Sequence, residues 1–123
     1  MGRSVQIDPL SLLVLLPEDL KDIKTVLHPL QRTVSSMREQ GLPHWELCIG
    51  ASGRAMKNIE DCLEGQPGVR IIQTAGRDAR ERMRELVKAS NGRWVSFAEA
   101  GDVFPTHFVY ECLKIIFKWP SID

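Results

Sequence analysis

The sequence predicts a single α/β domain built in three layers, with helices on both faces of a mainly parallel, four-stranded sheet. Short β-like runs alternate with longer helical stretches along the chain, and this alternation is typical of parallel sheets. The first run, 10–16, is apolar except for Ser11, as a strand buried on both faces should be. The 123 residues, 43% hydrophobic and 26% charged, can form one core, so we exclude a multidomain enzyme.

Turn residues and apolar periodicity divide the chain into four strands and four helices. Gly41 and Pro43 end the first helix, in which apolar residues recur every three or four positions. Pro105 suits the first turn of the last helix, and Pro120 ends it. In chain order the expected elements are strand 10–16, helix 26–40, strand 45–49, helix 55–63, strand 69–73, helix 78–89, strand 94–98 and helix 105–119.

The spacing of apolar residues also predicts which faces of two helices turn inward. In the second helix these residues are Met56, Ile59, Cys62 and Leu63, and in the last helix they are Phe108, Cys112, Ile115, Ile116 and Trp119. The chain has three cysteines and no C-x-x-C pair. We therefore expect buried free thiols in a reducing compartment, and a cytoplasmic protein.

Charge and hydropathy exclude two classes of partner. The 16 Lys and Arg residues balance 16 Asp and Glu residues, which removes the electrostatic argument for nucleic acid, a ligand that favours a basic face, so we expect no nucleic-acid partner. The longest wholly apolar run, 12–16, is too short to cross a bilayer. Residues 1–8 are expected to form a disordered or extended arm of the mature protein. The sequence contains no P-loop motif, so we expect no nucleotide site of the P-loop type.

Four turns are the places to look for a ligand site. Ligands of parallel α/β folds bind outside the carboxyl ends of the strands, where the strand order reverses. The relevant turns follow Leu16, Ile49, Gln73 and Ala98. Polar and charged residues in these turns are therefore the first candidates.

Two blocks of the sequence carry a family resemblance. The first, 40–49, contains Pro-x-Trp-Glu-Leu at the start of an apolar strand. The second, 92–105, contains Gly-Arg-Trp-Val-Ser-Phe followed by Glu-Ala-Gly-Asp-Val-Phe-Pro. Together they resemble the second strand and the metal-motif region of family 2 glycosyltransferases. The likeness extends over 9–123 and implies a Rossmann-like fold, the nucleotide-binding half of a GT-A domain, with a site for a nucleotide-diphospho-sugar.

The resemblance implies nucleotide contacts in the first two turns. Pro17 matches the proline that borders the base, and Ala51, Ser52 and Gly53 stand where the family has an acidic pair. Ala51 offers no acceptor, whereas Ser52 could bond a base or ribose and Gly53 would permit close backbone approach. The alternative is a plain strand-to-helix turn.

Two arginines of the third helix are the candidate diphosphate ligands, because a guanidinium matches phosphate with paired donors. They are Arg80 and Arg84. The alternative is a solvated helix face with pairs of opposite charge, such as Asp78 with Arg82.

An acidic segment after the fourth strand is the candidate metal site. Glu99 and Asp102 match the first and last acidic positions of the family's metal motif, and Gly101 replaces the middle one. Carboxylates supply the hard oxygen ligands of Mn²⁺ or Mg²⁺ bridging a diphosphate. The resemblance therefore implies a degenerate metal site at Glu99 and Asp102. As an alternative, Asp102 caps the last helix.

The resemblance also implies an inverting hexosyltransferase, in which a carboxylate beyond the metal motif acts as the base. The chain ends at Asp123, so we expect the acceptor half to be missing and nominate no catalytic residue. A partial or degenerate transferase, inactive as an isolated 123-residue chain, is the expectation. Its exposed sheet edge would favour a homodimer or a protein partner.

Two other functions stay open at this point. The acidic residues lost at Ala51 and Gly101 favour a catalytically inactive GT-A-like module kept for protein interactions. A receiver-like signalling domain also fits the length and the acidic pair at 18–19. Its third strand would end at Gln73, without the phosphoacceptor aspartate, so only an inactive receiver fits.

Overall fold

The computed structural model describes residues 10–17, 24–63 and 65–118, and all eight predicted elements are present in the predicted order. They are the strands β1 (Leu10–Leu15), β2 (Trp45–Ala51), β3 (Val69–Gln73) and β4 (Trp94–Ala98), and the helices α1 (Lys24–Arg38), α2 (Gly53–Leu63), α3 (Ala79–Ala89) and α4 (Phe108–Lys118). The predicted N-terminal arm and the acidic pair at 18–19 lie outside the described residues. None of the described helices is long and apolar enough to cross a membrane.

The strands form one parallel sheet in the order β3-β2-β1-β4. In β1, Val14 is level with Ile49 of β2 and with Ala98 of β4. The chain proceeds from β1 outward to β3 and then returns to the other side of β1, so the strand order reverses between β1 and β4. All four strands end at the same edge of the sheet. We call this the carboxyl edge, and it consists of the residues that follow Leu15, Ala51, Gln73 and Ala98.

This strand order contradicts the receiver-like alternative. In that fold, β1 lies between β2 and β3. Here β2 is the middle strand of the three, with Leu47 paired to Val69 of β3 and to Leu12 of β1. The observed order is that of the mononucleotide-binding half of a Rossmann-like sheet.

Helices cover the two faces of the sheet unequally, which gives the predicted three layers. Residues of α1, α2 and α4 pack on one face, and residues of α3 pack on the other. On the α3 face, Leu86 packs against Leu13 and Cys48. The larger core lies on the three-helix face and contains Leu12, Val14, Leu16, Leu30, Val34, Met37, Leu47, Ile49, Ala51, Ile59, Leu63, Val109 and Leu113.

Several predicted boundaries are wrong by one to three residues, and two of them lie beside the candidate site. β2 continues to Ala51 rather than ending at Ile49, because β3 pairs along this length and places Gln73 opposite Ala51. α4 begins at Phe108 rather than at Pro105. The Pro105 carbonyl accepts from the Phe108 N–H (3.0 Å) in a turn that precedes the helix.

The inward faces of α2 and α4 also differ from the prediction. Cys62 is exposed, although its apolar neighbours along the helix turn inward. In α4, Val109 and Leu113 are buried, whereas Ile115 is 59% exposed. The charged residues of α4 lie on the side roughly opposite Val109 and Leu113, so the positions of the charges, more than those of the apolar residues, identify the inward face. The other predicted contacts near the end of α4 involve side chains outside the described part of the chain.

Candidate functional site

A tight turn after β4 holds the two predicted metal ligands together. The Asp102 N–H donates to the Glu99 carbonyl oxygen (3.0 Å), and the Glu99 N–H donates to Asp102 Oδ2 (2.9 Å). Gly101 has a φ of +104°, a conformation that favours glycine. The residue that replaces the middle acid of the motif is thus the one this turn requires. Asp102 caps the turn and not α4, so the helix-capping alternative is wrong.

Polar side chains of α1, and of Gln40 just after it, bind the backbone of the loop that connects β4 to α4. Thr33 and Ser36 are buried on the helix face that meets the loop. The contacts are the Gly101 N–H with Thr33 Oγ1 (2.9 Å), the Phe104 N–H with Ser36 Oγ (3.1 Å), the Val109 N–H with Gln40 Oε1 (2.9 Å) and Gln40 Nε2 with the Pro105 carbonyl oxygen (2.6 Å). The loop from β4 to α4 is therefore anchored to α1.

A buried arginine that sequence reasoning missed reaches the carboxyl edge from α3. Arg82 is 6% exposed, and its Nη1 donates to the Leu16 carbonyl oxygen after β1 (3.1 Å). Its Nε is buried without a partner among the described residues. The expected ion pair of Asp78 with Arg82 does not form. A signal for burial was present, because Arg82 lies one helical turn before Leu86, on the stripe that packs against the sheet.

The two arginines predicted to meet the diphosphate, Arg80 and Arg84, are exposed on α3. Nearby carboxylates bind the backbone of the β3–α3 loop instead of pairing with arginines. The Glu81 N–H donates to Asp78 Oδ1 (2.8 Å), the Arg77 N–H to Glu81 Oε2 (2.8 Å), and the N–H groups of Ala75 and Gly76 to Glu85 Oε2 (3.0 and 3.1 Å). This loop is closed onto the start of α3, and its carboxylates do not pair with the exposed guanidinium groups of Arg80 and Arg84, which can therefore bind an anion.

The residues of the turn after β2 divide between core and surface. Ala51 is buried in the core, and its carbonyl oxygen accepts from the Thr74 N–H (2.9 Å). Ser52 is half-buried, and its carbonyl oxygen accepts from the Ala55 N–H (3.0 Å) as α2 begins. A side chain at Gly53 would meet nothing within 4 Å, so the chain itself does not require glycine there.

The sheet brings the candidate residues to one edge in a fixed order. Pro17 and the turn 99–102 follow neighbouring strands where the strand order reverses, and Ser52 follows the strand on the other side of β1. Adjacent strands lie about 4.8 Å apart, so the ends of β2 and β4 are about 10 Å apart. Thr74 Oγ1 and Arg82 Nε are buried polar atoms of this edge that have no partner among the described residues.

The described residues do not form a complete metal site at the carboxyl edge. Among them, no group of three or more His, Cys, Asp or Glu side chains could hold an ion. Three shallow surface depressions lie elsewhere, on the outer face of α1, between α1 and α2, and beside α2 and β3. None of the predicted site residues lines these three. A metal ion at this edge would need further oxygen ligands, such as those of a diphosphate.

Glu46, the acidic residue of the first sequence block, lies at the opposite edge of the sheet. Its carboxylate accepts from the Ser11 hydroxyl, the N–H groups of Asn91 and Gly92, and Arg70 Nη1 (3.0 Å). Burial raises the pKa of this carboxyl, but these donors outweigh burial and hold the pKa below the ordinary value of 4.5. Glu46 therefore ties the beginnings of three strands to the α3–β4 loop and does not contact the candidate site.

Comparison with known proteins relates the chain to one group of solved structures. No family model and no curated protein sequence matches it. S. aureus TarS 1–349 is similar, with a TM-score of 0.65 at 14% identity over 89% of this chain and 32% of that one. TarS 1–349 in complex with UDP-GlcNAc has a TM-score of 0.60 at 18% identity, over 89% and 31% of the chains. A longer TarS structure has a TM-score of 0.61 at 17% identity, over 89% and 20%.

These similarities concern the fold. The chain has an α/β fold that matches the nucleotide-binding half of a GT-A glycosyltransferase, with an all-parallel sheet of four strands. It spans about a third or less of the TarS chains that it matches.

Proposed function

We propose that this domain binds a nucleoside-diphospho-sugar at the carboxyl edge, in the crevice between the ends of β1 and β4. The observation that carries the proposal is the reversal of strand order there, with Pro17 on one side and the turn 99–102 on the other. Parallel α/β sheets bind their ligands at such a reversal. The complex of TarS with UDP-GlcNAc, which has a similar fold, indicates the class of ligand.

The base and ribose would lie over the ends of β1 and β2. Ser52 would bond the base or ribose, and the free N–H groups at the start of α2, including that of Gly53, face the same edge. Pro17, which is exposed, would border the base. Arg82 would act as a positioning residue, because it holds the carbonyl of the residue before Pro17.

The diphosphate would lie towards α3 and the turn after β4. Arg80 is in the first turn of α3, whose N-terminus opens on the carboxyl edge, and its exposed guanidinium can pair with phosphate oxygens. Arg84 lies one helical turn further along the same helix.

The donor set at the turn after β4 fits Mn²⁺ or Mg²⁺ as a partial site. Glu99 and Asp102 are both exposed, the Glu99 carboxylate bonds no described residue, and Asp102 uses only Oδ2. Hard divalent cations take such carboxylate oxygens together with phosphate oxygens. When bound, the ion would neutralise charge on the diphosphate.

The finer proposal is a degenerate, partial member of the family 2 glycosyltransferases in the cytoplasm, where its three free cysteines would stay reduced. A second candidate function is a catalytically inactive module that binds another protein. It is favoured by the loss of two acidic positions, since the Ala51 side chain is in the core and Gly101 has none. Ligand binding separates the two candidates.

An NMR titration of the full chain with UDP- and GDP-sugars in Mg²⁺ tests nucleotide binding. We expect amide shifts at 16, 52–53 and 99–102, and we expect Mn²⁺ in place of Mg²⁺ to broaden the amides of 99–102 first. Asp102→Asn keeps the cap of the turn but should abolish the broadening. Asp61→Asn, on the exposed side of α2, is the matched control and should leave it unchanged. Absence of shifts with every nucleotide-sugar would reject the proposal and favour the protein-binding module.

A further inference from the structure

One face of β4 is uncovered. Among the described residues β4 pairs only with β1, so its outer edge has no strand partner there. Val95 is level with Ser11 and Phe97 with Leu13, so both side chains point to the face on which α3 packs. α3 packs mainly against β1 and β2, the two interior strands. Val95 and Phe97 are accordingly 39% and 59% exposed.

β4 also lacks the features that protect an edge strand. Natural edges carry lysines, prolines or inward-pointing charges that prevent pairing with another chain. Between Trp94 and Ala98 there is no charged residue and no proline. The other edge strand, β3, differs because it carries Arg70, and its Ile71 and Ile72 are partly buried against the two cores.

We propose that two copies of this chain associate through β4, edge to edge and antiparallel, about a two-fold axis at Ser96. In this register Val95 lies opposite the partner's Phe97, and Arg93 lies opposite the partner's Glu99. Arg93 and Glu99 each stand one residue beyond β4, are exposed, and alternate onto the same face as Val95 and Phe97.

This register is specified by its side-chain pairs. In antiparallel strands, residues that lie directly opposite each other have their side chains on the same face of the sheet. The two-fold axis must therefore pass through a residue and not between two residues. If the axis passed through Val95 or Phe97, Val95 would no longer lie opposite Phe97, nor Arg93 opposite Glu99. At Ser96 the symmetry produces two aromatic–aliphatic pairs flanked by two pairs of opposite charge, and both kinds stabilise antiparallel strands. Because the contact involves one short strand per copy, the dimer should dissociate on dilution.

Sedimentation equilibrium of the full chain, without nucleotide or metal, is the test. We expect a mass that rises with concentration to twice 13.9 kDa. Arg93→Glu or Glu99→Arg should weaken the dimer about tenfold, since each variant creates two like-charge pairs. The double variant should restore it. Phe97→Lys should weaken it, whereas Val103→Lys, at an equally exposed residue beside the outer face of α1, should not.

A crosslink tests the register directly. Ser96→Cys in a Cys62→Ser background should form an interchain disulfide on mild oxidation, because residues on the axis lie within disulfide distance. Ser35→Cys, exposed on α1, is the control and should crosslink much less. The proposal would be overturned if the chain is a monomer at every concentration. It would also be overturned if a dimer forms whose stability does not change with the charge reversals and which does not crosslink through residue 96. Since no ligand is present, neither result depends on nucleotide binding.

Discussion

Arg82 and Leu16 lie 66 residues apart in the sequence, yet Nη1 of the arginine lies 3.1 Å from the carbonyl oxygen of the leucine. This hydrogen bond joins α3, the only helix on its face of the described sheet, to the residue that follows the interior strand β1. It therefore determines where the backbone leaves β1, immediately before Pro17. The position of the proposed crevice depends on α3 as much as on the sheet.

Replacing Arg82 should destabilise the fold and disturb this edge. We expect Arg82→Met to lower the free energy of unfolding by about 1–2 kcal/mol, because the buried Leu16 carbonyl loses its charged donor. The loss is limited because the substitution also removes an Nε that has no described partner. Urea unfolding measures the change, and Arg84→Met, exposed on the same helix, serves as the control. Equal stabilities of the two variants would contradict the role assigned to Arg82.

The anchoring of the β4–α4 loop by α1 gives a second prediction. Thr33→Val keeps the shape of the side chain but removes the acceptor of the Gly101 N–H, so that amide should exchange about tenfold faster with solvent. Ser36→Ala should act in the same way on the Phe104 amide. Amide hydrogen exchange followed by NMR measures each effect.

The test of this anchoring is whether each substitution speeds the exchange of one particular amide. Each variant should change its own amide most, and Ser35→Ala, on the exposed side of α1, should change neither. If both amides exchange fast in the unmodified protein, the loop is not anchored as described.

Glu46 gives a prediction about pH. Its folded-state pKa lies below 4.5, so the stability that its charge contributes is complete above about pH 4.5 and is lost as pH falls through the folded-state pKa. Glu46→Gln should lower the free energy of unfolding by about 2–3 kcal/mol at pH 7. The substitution replaces one carboxylate oxygen, which accepts hydrogen bonds, with an NH₂ group that faces the same N–H and O–H donors and cannot accept from them. The difference from the unmodified protein should narrow below pH 4.5.

Urea unfolding at a series of pH values from neutral to acidic measures this dependence. Glu60→Gln, at an exposed carboxylate of α2, is the matched control. A difference between the Glu46 variant and the unmodified protein that stays constant with pH would show that packing, rather than charge, explains the effect.

The sheet was the part of this fold that the sequence predicted best. β3 and β4 have the predicted bounds, because glycines and polar residues close each apolar run and leave few alternatives. α4 was predicted less well, because its apolar residues extend over several sides of the helix and its inward face, with Val109 and Leu113, is marked by the charged residues on the opposite side, Glu111 and Lys114.

Parts of the candidate site that are local in sequence were predicted, whereas parts that depend on distant contacts were not. The turn of Glu99 with Asp102 is local in sequence, so the spacing of its residues was visible. The roles of Thr33 and Arg82 depend on contacts 68 and 66 residues away, which no local pattern encodes. Polar side chains among the apolar residues of each helix's inward face were the available hint, and they identify burial without identifying the partner.

The three cysteines should differ strongly in reactivity, which gives the last prediction. Burial, together with the nearby charge of Glu46, raises the pKa of Cys48 to about 12. Burial and Glu111 also raise the pKa of the half-buried Cys112, whereas Cys62 is exposed. Because the thiolate is the nucleophile, a thiol reagent at pH 8 should label Cys62 first, Cys112 slowly and Cys48 only on unfolding. Cys62→Ser should remove the fast phase, and all three thiols should react in denaturant. Fast labelling of Cys48 in the folded protein would mean that β2 is not the buried strand described above.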